Sequence, residues 1–155
     1  VAVPPPVGRG AGRRVEAPLS VFLASSHRCL ILSRELCGST GGKMIDSYDF
    51  GRVVIDGKSY TSDVIIYPDG VRDQWFRREG HKLCRDDLGD VLDKEPEVIV
   101  VGTGNPGLMR VLPETEKLID SKRIKLIVQP TGEACRAYNH LATTQKVIAL
   151  LHLTC

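Results

Sequence analysis

Residues 97–101 form an almost unbroken apolar run between Pro96 and Gly102. A strand with one face in water alternates apolar and polar residues, whereas an unbroken run is typical of a strand covered on both faces. The run is far shorter than the roughly 20 apolar residues that a membrane-spanning helix needs. It therefore predicts a buried strand of an α/β sheet.

The chain after this run alternates between helical and extended patterns. We expect a helix at Pro113–Ser121 and a buried strand at residues 124–128. A second helix should follow a capping Thr131, with Ala134, Tyr138 and Leu141 on its core face, and a last strand is expected at residues 147–153. Strands that alternate with helices form a partly parallel sheet with right-handed crossovers, flanked by helices.

The chain before the run predicts a β-hairpin layer. Residues 48–55 are rich in β-branched side chains and lead to Asp56-Gly57, a strong two-residue hairpin signal, after which residues 58–61 return as the partner strand. Further strands are expected at residues 63–67 and 71–76, and a helix at residues 84–92. The predicted fold class is thus α/β, with a central mixed sheet, flanking helices and an N-terminal β-hairpin layer.

Residues 1–43 have the composition of a basic, flexible leader, and the predicted domain spans residues 44–155. Prolines, glycines and arginines dominate the start of the leader, which favours extended chain over packed structure. Two explanations stay open. The leader is either sequence upstream of a natural start at Met44 or a mitochondrial transit peptide, which is Arg-rich and acid-poor. The first explanation places the protein in the cytoplasm and the second in the mitochondrial matrix.

Charge and cysteine usage narrow the range of partners. Residues 1–43 hold six Lys/Arg and two Glu, whereas residues 44–155 hold 15 Lys/Arg and 17 Asp/Glu, so the predicted domain is weakly acidic. Such a domain lacks the basic patch of a nucleic-acid-binding protein. The five cysteines include no C-x-x-C pair and no zinc-type spacing. We therefore expect reduced thiols, no metal site and no cofactor.

Gly102, Thr103 and Gly104 begin a literal G-x-G-x-x-G motif after the predicted buried strand. In dinucleotide-binding folds these glycines open a helix whose N-terminal amides hold the pyrophosphate. Here Pro106 and Pro113 leave room for one or two helical turns at most. We therefore expect a glycine turn at a strand end, with a nest for a small anion as the functional alternative.

The remaining candidates for anion binding are basic side chains and a helix N-terminus. Arg77, Arg78 and His81 lie close together in the sequence, after the fourth predicted strand. Guanidinium groups suit carboxylate or phosphate ligands because they form bidentate hydrogen bonds. Thr131, at a helix start, adds positive potential to the crevice that the strand ends are expected to form.

His152 and Cys155 have the chemistry of a general base and a nucleophile. Three residues apart on one strand, however, two side chains point to opposite faces of the sheet. Only a bend at the end of the strand would bring them together.

Four short motifs carry a resemblance to a known family. They are Ile45-Asp46-Ser47-Tyr48, the run from Val98 to Gly104, Glu133-Ala134-Cys135 with Tyr138-Asn139, and His152-Leu153-Thr154-Cys155. Together they resemble the Mth-nine-three-eight-like family, over essentially all of residues 44–155. The resemblance implies a three-layer α/β fold around a central mixed sheet, and no established enzymatic activity. The family includes an adipogenesis-associated protein and a mitochondrial complex I assembly factor.

The favoured function is a non-catalytic binding or assembly-type domain that acts through a protein partner or a small anionic ligand. The ligand-binding candidates are Arg77, Arg78, His81, Gly102, Thr103, Gly104, Thr131 and His152. One alternative is a small enzyme in which a histidine is the general base and an arginine holds an anionic substrate. Another is a mitochondrial respiratory complex I assembly factor. The sequence identifies no catalytic residue, ligand or oligomeric state.

Overall fold

The computed structural model describes residues 41–155, so the predicted leader lies almost wholly outside the described residues. The strands are β1 (Ile45–Asp49), β2 (Arg52–Ile55), β3 (Lys58–Tyr60), β4 (Val64–Tyr67), β5 (Gly70–Arg72), β6 (Lys82–Leu83), β7 (Val98–Thr103), β8 (Arg110–Val111), β9 (Lys125–Gln129) and β10 (Val147–His152). The helices are a 3₁₀ helix (Arg85–Leu88), α1 (Pro113–Ser121) and α2 (Thr131–Leu141). No helix in this part of the chain has the length and apolar character needed to cross a membrane.

Five strands form a central mixed sheet, in the order β5-β4-β10-β7-β9. β10 and β9 run parallel to β7, whereas β4 is antiparallel to β10 and β5 is antiparallel to β4. Every residue of β7 and of β10 is buried. The prediction of a buried strand in a partly parallel sheet is therefore confirmed for residues 98–101, whereas Glu97 lies before the strand and is exposed.

Apolar layers cover both faces of this sheet. Successive side chains of a strand point to opposite faces, so neighbouring residues of β7 enter different clusters. Val100 belongs to the cluster that includes Tyr138 of α2 and Val53 of the antiparallel β1-β2-β3 sheet. Ile99 belongs to the cluster that includes Ile119 of α1 and Leu88 of the 3₁₀ helix. The result is the three-layer α/β arrangement expected from the sequence.

The prediction of a single strand over residues 48–55 is wrong. A turn at Phe50 and Gly51 divides this stretch between β1 and β2. Gly51 has a φ of 76°, a left-handed conformation that glycine adopts without steric cost, so a two-residue turn suffices to reverse the chain. The hairpin at Asp56-Gly57, which joins β2 to β3, is confirmed.

Two predicted elements between the hairpin layer and β7 are shorter in the structure. The strand predicted at residues 71–76 ends at Arg72, and only Arg85–Leu88 of the helix predicted at residues 84–92 is helical. Gly89 ends that helix with a φ of 51°. The parallel pair of β6 and β8 was not predicted because two-residue strands have no periodic pattern.

The strand predicted at residues 124–128 exists as β9, but the expectation that it is buried is wrong. β9 lies at the edge of the central sheet, with Leu126 and Ile127 half-buried and Val128 exposed. An apolar run alone does not distinguish a central strand from an edge strand that is partly covered. Helix α1, which precedes β9, has the predicted bounds.

Candidate functional site

The candidate site lies at the end of the sheet where β7 and β10 both finish. The two strands are parallel and in register, with His152 opposite Thr103, so their carboxyl ends lie side by side. The chain leaves the sheet there as residues 152–155, called the 152–155 segment below. The carboxyl ends of parallel strands are where α/β proteins usually bind ligands.

Asp63 reaches this end of the sheet because of strand pairing. β4 is antiparallel to β10, with Val64 opposite Leu151, so the residue before Val64 lies beside the residue after Leu151. The Asp63 Oδ2 atom is 2.8 Å from the His152 Nδ1 atom. The Asp63 Oδ1 atom accepts a hydrogen bond of 2.8 Å from the main-chain N–H of Leu153. One carboxylate thus holds the first two residues of the 152–155 segment.

Arg77 completes a buried polar frame with Asp63 and His152. Its Nη2 atom lies 2.8 Å from Asp63 Oδ2 and 3.1 Å from His152 Nδ1, and its side chain is only 4% exposed. The guanidinium also donates to the main-chain oxygen of Gly80 and stacks over the Trp75 ring at 4.6 Å. The positive charge of Arg77 balances the carboxylate, which makes burial of both groups tolerable.

The frame fixes the orientation of the His152 ring. An ionised carboxylate only accepts hydrogen bonds, so we assign the Nδ1–H of His152 as a donor to Asp63, and the guanidinium donates to the same oxygen. The ring atom on the other side, Nε2, then faces the main-chain oxygen of Cys155, with which it is in close contact. The imidazole is therefore held at the start of the 152–155 segment.

Within the described residues, the Arg77 Nη1 atom is buried without a hydrogen-bond partner.

His81 and Cys155 lie on the exposed side of this frame. The Sγ atom of Cys155 is 3.5 Å from the Nε2 atom of His81. The His81 and His152 rings meet edge to face, with their centroids 5.9 Å apart. One nitrogen of each ring and the Cys155 sulfur all lie within 4.8 Å of one another. Three side chains with metal-binding and nucleophilic chemistry therefore form one cluster, the His-His-Cys cluster below.

A bend after β10 makes this cluster possible. β10 ends at His152, and the main-chain oxygen of Thr154 accepts a hydrogen bond of 2.7 Å from Asn105. The alternation of side chains along a strand therefore does not extend to Cys155. From the sequence, only a bend at the end of the strand would bring His152 and Cys155 together. The structure has this bend, and the two residues do lie together.

The glycine motif serves this bend and does not open a helix. Gly104 has a φ of 92°, and a Cβ atom there would lie 2.4 Å from the main-chain oxygen of Thr154. The chain after β7 continues through a loop and β8 before α1 begins at Pro113. The expectation that the motif forms a glycine turn and does not open a helix is confirmed. Its function is close packing of two main-chain segments.

Thr131 connects the glycine turn to the 152–155 segment from inside. Its hydroxyl accepts a 2.8 Å hydrogen bond from the Gly104 N–H and donates to the main-chain oxygen of His152. Thr131 is the first residue of α2 and Pro130 occupies the cap position, so the prediction that Thr131 caps the helix is wrong. Its hydroxyl bridges the glycine turn and the end of β10, and it makes no hydrogen bond to the helix amides.

Tyr48 supports the same segment from the hairpin layer. Its hydroxyl donates a 3.1 Å hydrogen bond to the main-chain oxygen of Leu153, and the N–H of Gly51 donates to the same oxygen at 2.8 Å. Burial, the largest effect, raises the pKa of Tyr48, and the hydroxyl therefore stays protonated and able to donate.

The structure separates the two arginines that the sequence placed together. Arg77 is buried on Asp63, whereas Arg78 is exposed and pairs with Asp86 at 3.1 Å. They do not form a joint guanidinium site. The other candidates, namely His81, Gly102, Thr103, Gly104, Thr131 and His152, do lie at the same end of the sheet as Arg77. Asp63, which organises them, was not a candidate because its only sequence signal is a carboxylate before an apolar strand.

A cavity of about 490 Å³ lies at the opposite end of the central sheet. Its lining includes Val147 and Glu97, where β10 and β7 begin, together with Tyr138 and Ala142 from α2 and the chain after it. The site at the 152–155 segment is thus separate from this cavity.

The chain is similar to known proteins in sequence and in fold. A family model described as a protein of unknown function (DUF498/DUF598) matches residues 45–152. The structure of a conserved hypothetical protein, PH1505 from Pyrococcus horikoshii OT3, is 34% identical with a TM-score of 0.62, over 72% of this chain and 98% of that chain. A structure described as MT938 is 26% identical with a TM-score of 0.59, over 73% of this chain and 99% of that one. A Bordetella pertussis protein described as a Mth938-like domain is 19% identical with a TM-score of 0.53, over 75% and 88%, and shares the fold.

Proposed function

Because this chain belongs to the DUF498/DUF598 family of proteins of unknown function, which contains the Mth938-like fold, we propose its role from its own geometry. The proposed role is a non-catalytic binding module of the assembly type. It recognises a protein partner at the end of the sheet that carries the 152–155 segment. The compartment that fits reduced cysteines is the cytoplasm, or the mitochondrial matrix if residues 1–43 are a transit peptide.

Three exposed apolar side chains carry this proposal. Phe50 is 63% exposed, Phe76 is 83% exposed and Leu108 is 52% exposed. Each is on a loop that is anchored to the 152–155 segment, and together we call them the apolar rim. Large apolar side chains gathered on one region of a surface are typical of protein interaction sites.

Main-chain and frame contacts tie each loop to that segment. The residue after Phe50, Gly51, donates to the main-chain oxygen of Leu153. The residue after Phe76, Arg77, contacts His152 through its guanidinium. Leu108 is in the loop whose Asn105 N–H donates to Thr154. The three loops therefore converge on four consecutive residues.

The shape of this region favours a protein over a small molecule. Small-molecule sites are concave and bury most of the ligand between side chains. The apolar rim instead presents side chains that are more than half exposed. Exposed aromatic anchors on a fixed frame suit a complementary protein surface, since little conformational entropy is lost when they bind.

The anionic-ligand form of the proposal has less support. A guanidinium recognises an anion with hydrogen bonds that are still free and accessible. Arg77 spends its Nη2 atom on Asp63 and Gly80, and its Nη1 atom, which has no partner among the described residues, is buried. Arg78 is paired with Asp86 away from the frame. The resemblance to a mitochondrial assembly factor makes a subunit of respiratory complex I one partner to test.

The experiment is capture of partners by the tagged full chain, followed by cross-linking and mass spectrometry. The test variant combines Phe76→Ser with Leu108→Ser. The control is Met44→Ser, which removes an exposed apolar side chain just before β1. The proposal predicts a protein captured by the parent and by the control but lost in the test variant. The proposal would be contradicted if the test variant captured the same proteins as the parent.

A second candidate is a thiol-dependent enzyme, which the 3.5 Å contact between Cys155 and His81 favours. A histidine within hydrogen-bond reach of a thiol is the arrangement that activates a cysteine nucleophile. Turnover of activated acyl esters is the test. If the parent hydrolyses the ester and Cys155→Ser does not, this candidate is supported. If the parent hydrolyses the ester no faster than Cys155→Ser does, the candidate is eliminated.

A further inference from the structure

The His-His-Cys cluster has the donor atoms of a transition-metal site. Imidazole nitrogen and thiolate sulfur are the preferred ligands of Zn²⁺ in proteins, whereas hard cations such as Mg²⁺ and Ca²⁺ take oxygen ligands. His81, His152 and Cys155 supply two nitrogens and one sulfur. The donor set therefore points to zinc.

The spacing of these atoms fits a tetrahedral ion. With zinc bonds of about 2.0–2.1 Å to nitrogen and about 2.3 Å to sulfur, tetrahedral angles place two ligand atoms roughly 3.3–3.6 Å apart. The Sγ atom of Cys155 is 3.5 Å from the Nε2 atom of His81, and the whole set lies within 4.8 Å. Small rotations of the two exposed side chains close the set around one ion.

Asp63 gives His152 the support that a zinc ligand requires. A histidine that binds metal through one ring nitrogen almost always donates the other N–H to a carboxylate or a carbonyl. Asp63 holds the Nδ1 atom of His152 at 2.8 Å, which directs Nε2 toward Cys155. Arg77 in turn fixes Asp63 from the buried side.

We propose that His81, His152 and Cys155 form a zinc-binding site at the end of the central sheet. Binding requires the main-chain oxygen of Cys155 to move away from Nε2 of His152, while the exposed Cys155 residue keeps its thiol within reach of both histidines. Three protein ligands leave one tetrahedral position open to water or to a side chain of a partner. This inference is independent of the proposed partner binding, which rests on the apolar rim.

The site is not visible as a sequence motif because its ligands come from distant positions. His81 precedes β6, whereas His152 and Cys155 come 71 and 74 residues later, at the end of the last strand and three residues after it. Zinc motifs are recognised by two close pairs of ligands, and this chain has one close pair and one distant histidine. The proposal therefore departs from the expectation of no metal site, which rested on motif spacing alone.

The test is titration of the tag-free, reduced full chain with Zn²⁺ in a calorimeter, and with Co²⁺ as a spectroscopic probe of thiolate coordination. Cys29→Ser and Cys37→Ser are included in every protein, so that cysteines before the described residues do not contribute. The proposal predicts one Zn²⁺ per chain and a sulfur-to-cobalt charge-transfer band. Cys155→Ser and His81→Asn each weaken zinc binding by more than about 100-fold, which is the upper end of the loss that removal of an outer-shell partner causes.

The matched controls are Cys84→Ser and His140→Asn, which remove a cysteine and a histidine outside the cluster. Both controls retain the parent's affinity and stoichiometry. Circular dichroism of each variant establishes that it is folded, which is expected because His81 and Cys155 are exposed. A folded Cys155→Ser or His81→Asn variant that binds Zn²⁺ as tightly as the parent would overturn the proposal. A parent protein that shows no Zn²⁺ binding above the level of these variants would overturn it as well.

Discussion

Asp63 and His152 are 89 residues apart in the sequence, and a 2.8 Å contact between Oδ2 and Nδ1 joins them at the end of the central sheet. The contact follows from the antiparallel pairing of β4 with β10. Through this contact, the residue before β4 fixes the position of the 152–155 segment at the end of β10. The loops that carry the apolar rim and the His-His-Cys cluster are arranged around this junction.

Loss of the buried charge on Arg77 should strongly destabilise the fold. Arg77→Met leaves the Asp63 carboxylate without its cation in a site of low exposure, and we expect a loss of about 3–5 kcal/mol in the free energy of unfolding. Arg78→Met removes the neighbouring exposed ion pair and should cost less than about 1 kcal/mol. Urea denaturation measures both. Equal losses would mean that the frame does not depend on the buried pair.

Gly104 should tolerate no side chain because of where the 152–155 segment lies. Gly104→Ala combines a positive φ with a Cβ atom 2.4 Å from the Thr154 main-chain oxygen, and should cost about 2–5 kcal/mol. The control is Gly57→Ala, which has a φ of 77° but no neighbouring atom within 4 Å. It should cost only about 1–2 kcal/mol of backbone strain. The difference in unfolding free energy between the two variants isolates the close approach, and no difference would argue against it.

The Thr131 hydroxyl should matter more than its methyl group. Thr131→Val preserves shape but leaves the buried Gly104 N–H without its acceptor, so we expect a loss of about 1–3 kcal/mol. Thr131→Ser keeps the hydroxyl and should lose about 1 kcal/mol or less for the buried methyl. Thermal denaturation ranks them. A serine variant that is less stable than the valine variant would contradict the bridging role.

The cysteines of the described residues should differ sharply in reactivity. Burial raises the pKa of Cys135 to about 12, so at pH 8 its thiol is almost wholly protonated and is also inaccessible. Cys155 is exposed. Iodoacetamide labelling of the native protein, read by peptide mass spectrometry, should therefore modify Cys155 and leave Cys135 intact. Labelling of Cys135 should begin only when the protein unfolds, and its labelling in the folded protein would show that the α2 face is not packed as described.

Local sequence patterns were sufficient for the fold wherever one element carries its own signal. The apolar run at residues 97–101 indicated a covered strand, and Pro113 marked the start of α1 at the residue where the helix begins. Patterns failed where one glycine changes the chain direction, as Gly51 does between β1 and β2. They also failed to identify β9 as an edge strand, because sheet order is set by pairing between distant segments.

The candidate site was only partly predictable for the same reason. Gly104, His81 and His152 were identified by residue type, and the structure brings them to one end of the sheet. Asp63 was missed because its role exists only through the pairing of β4 with β10. The arginine pair was misleading because adjacent residues of an extended loop point in different directions, one into the frame and one into solvent.

The protonation of the His152 ring tests the central claim most directly, since the account requires the Asp63 carboxylate to hold that ring. Two-dimensional proton–nitrogen NMR of the ring atoms in selectively labelled protein at neutral pH reports which nitrogen carries hydrogen. The account predicts a protonated Nδ1 whose proton is hydrogen-bonded to Asp63, and the loss of this signal in Asp63→Asn. A ring protonated only at Nε2, with a bare Nδ1 facing Asp63, would contradict it.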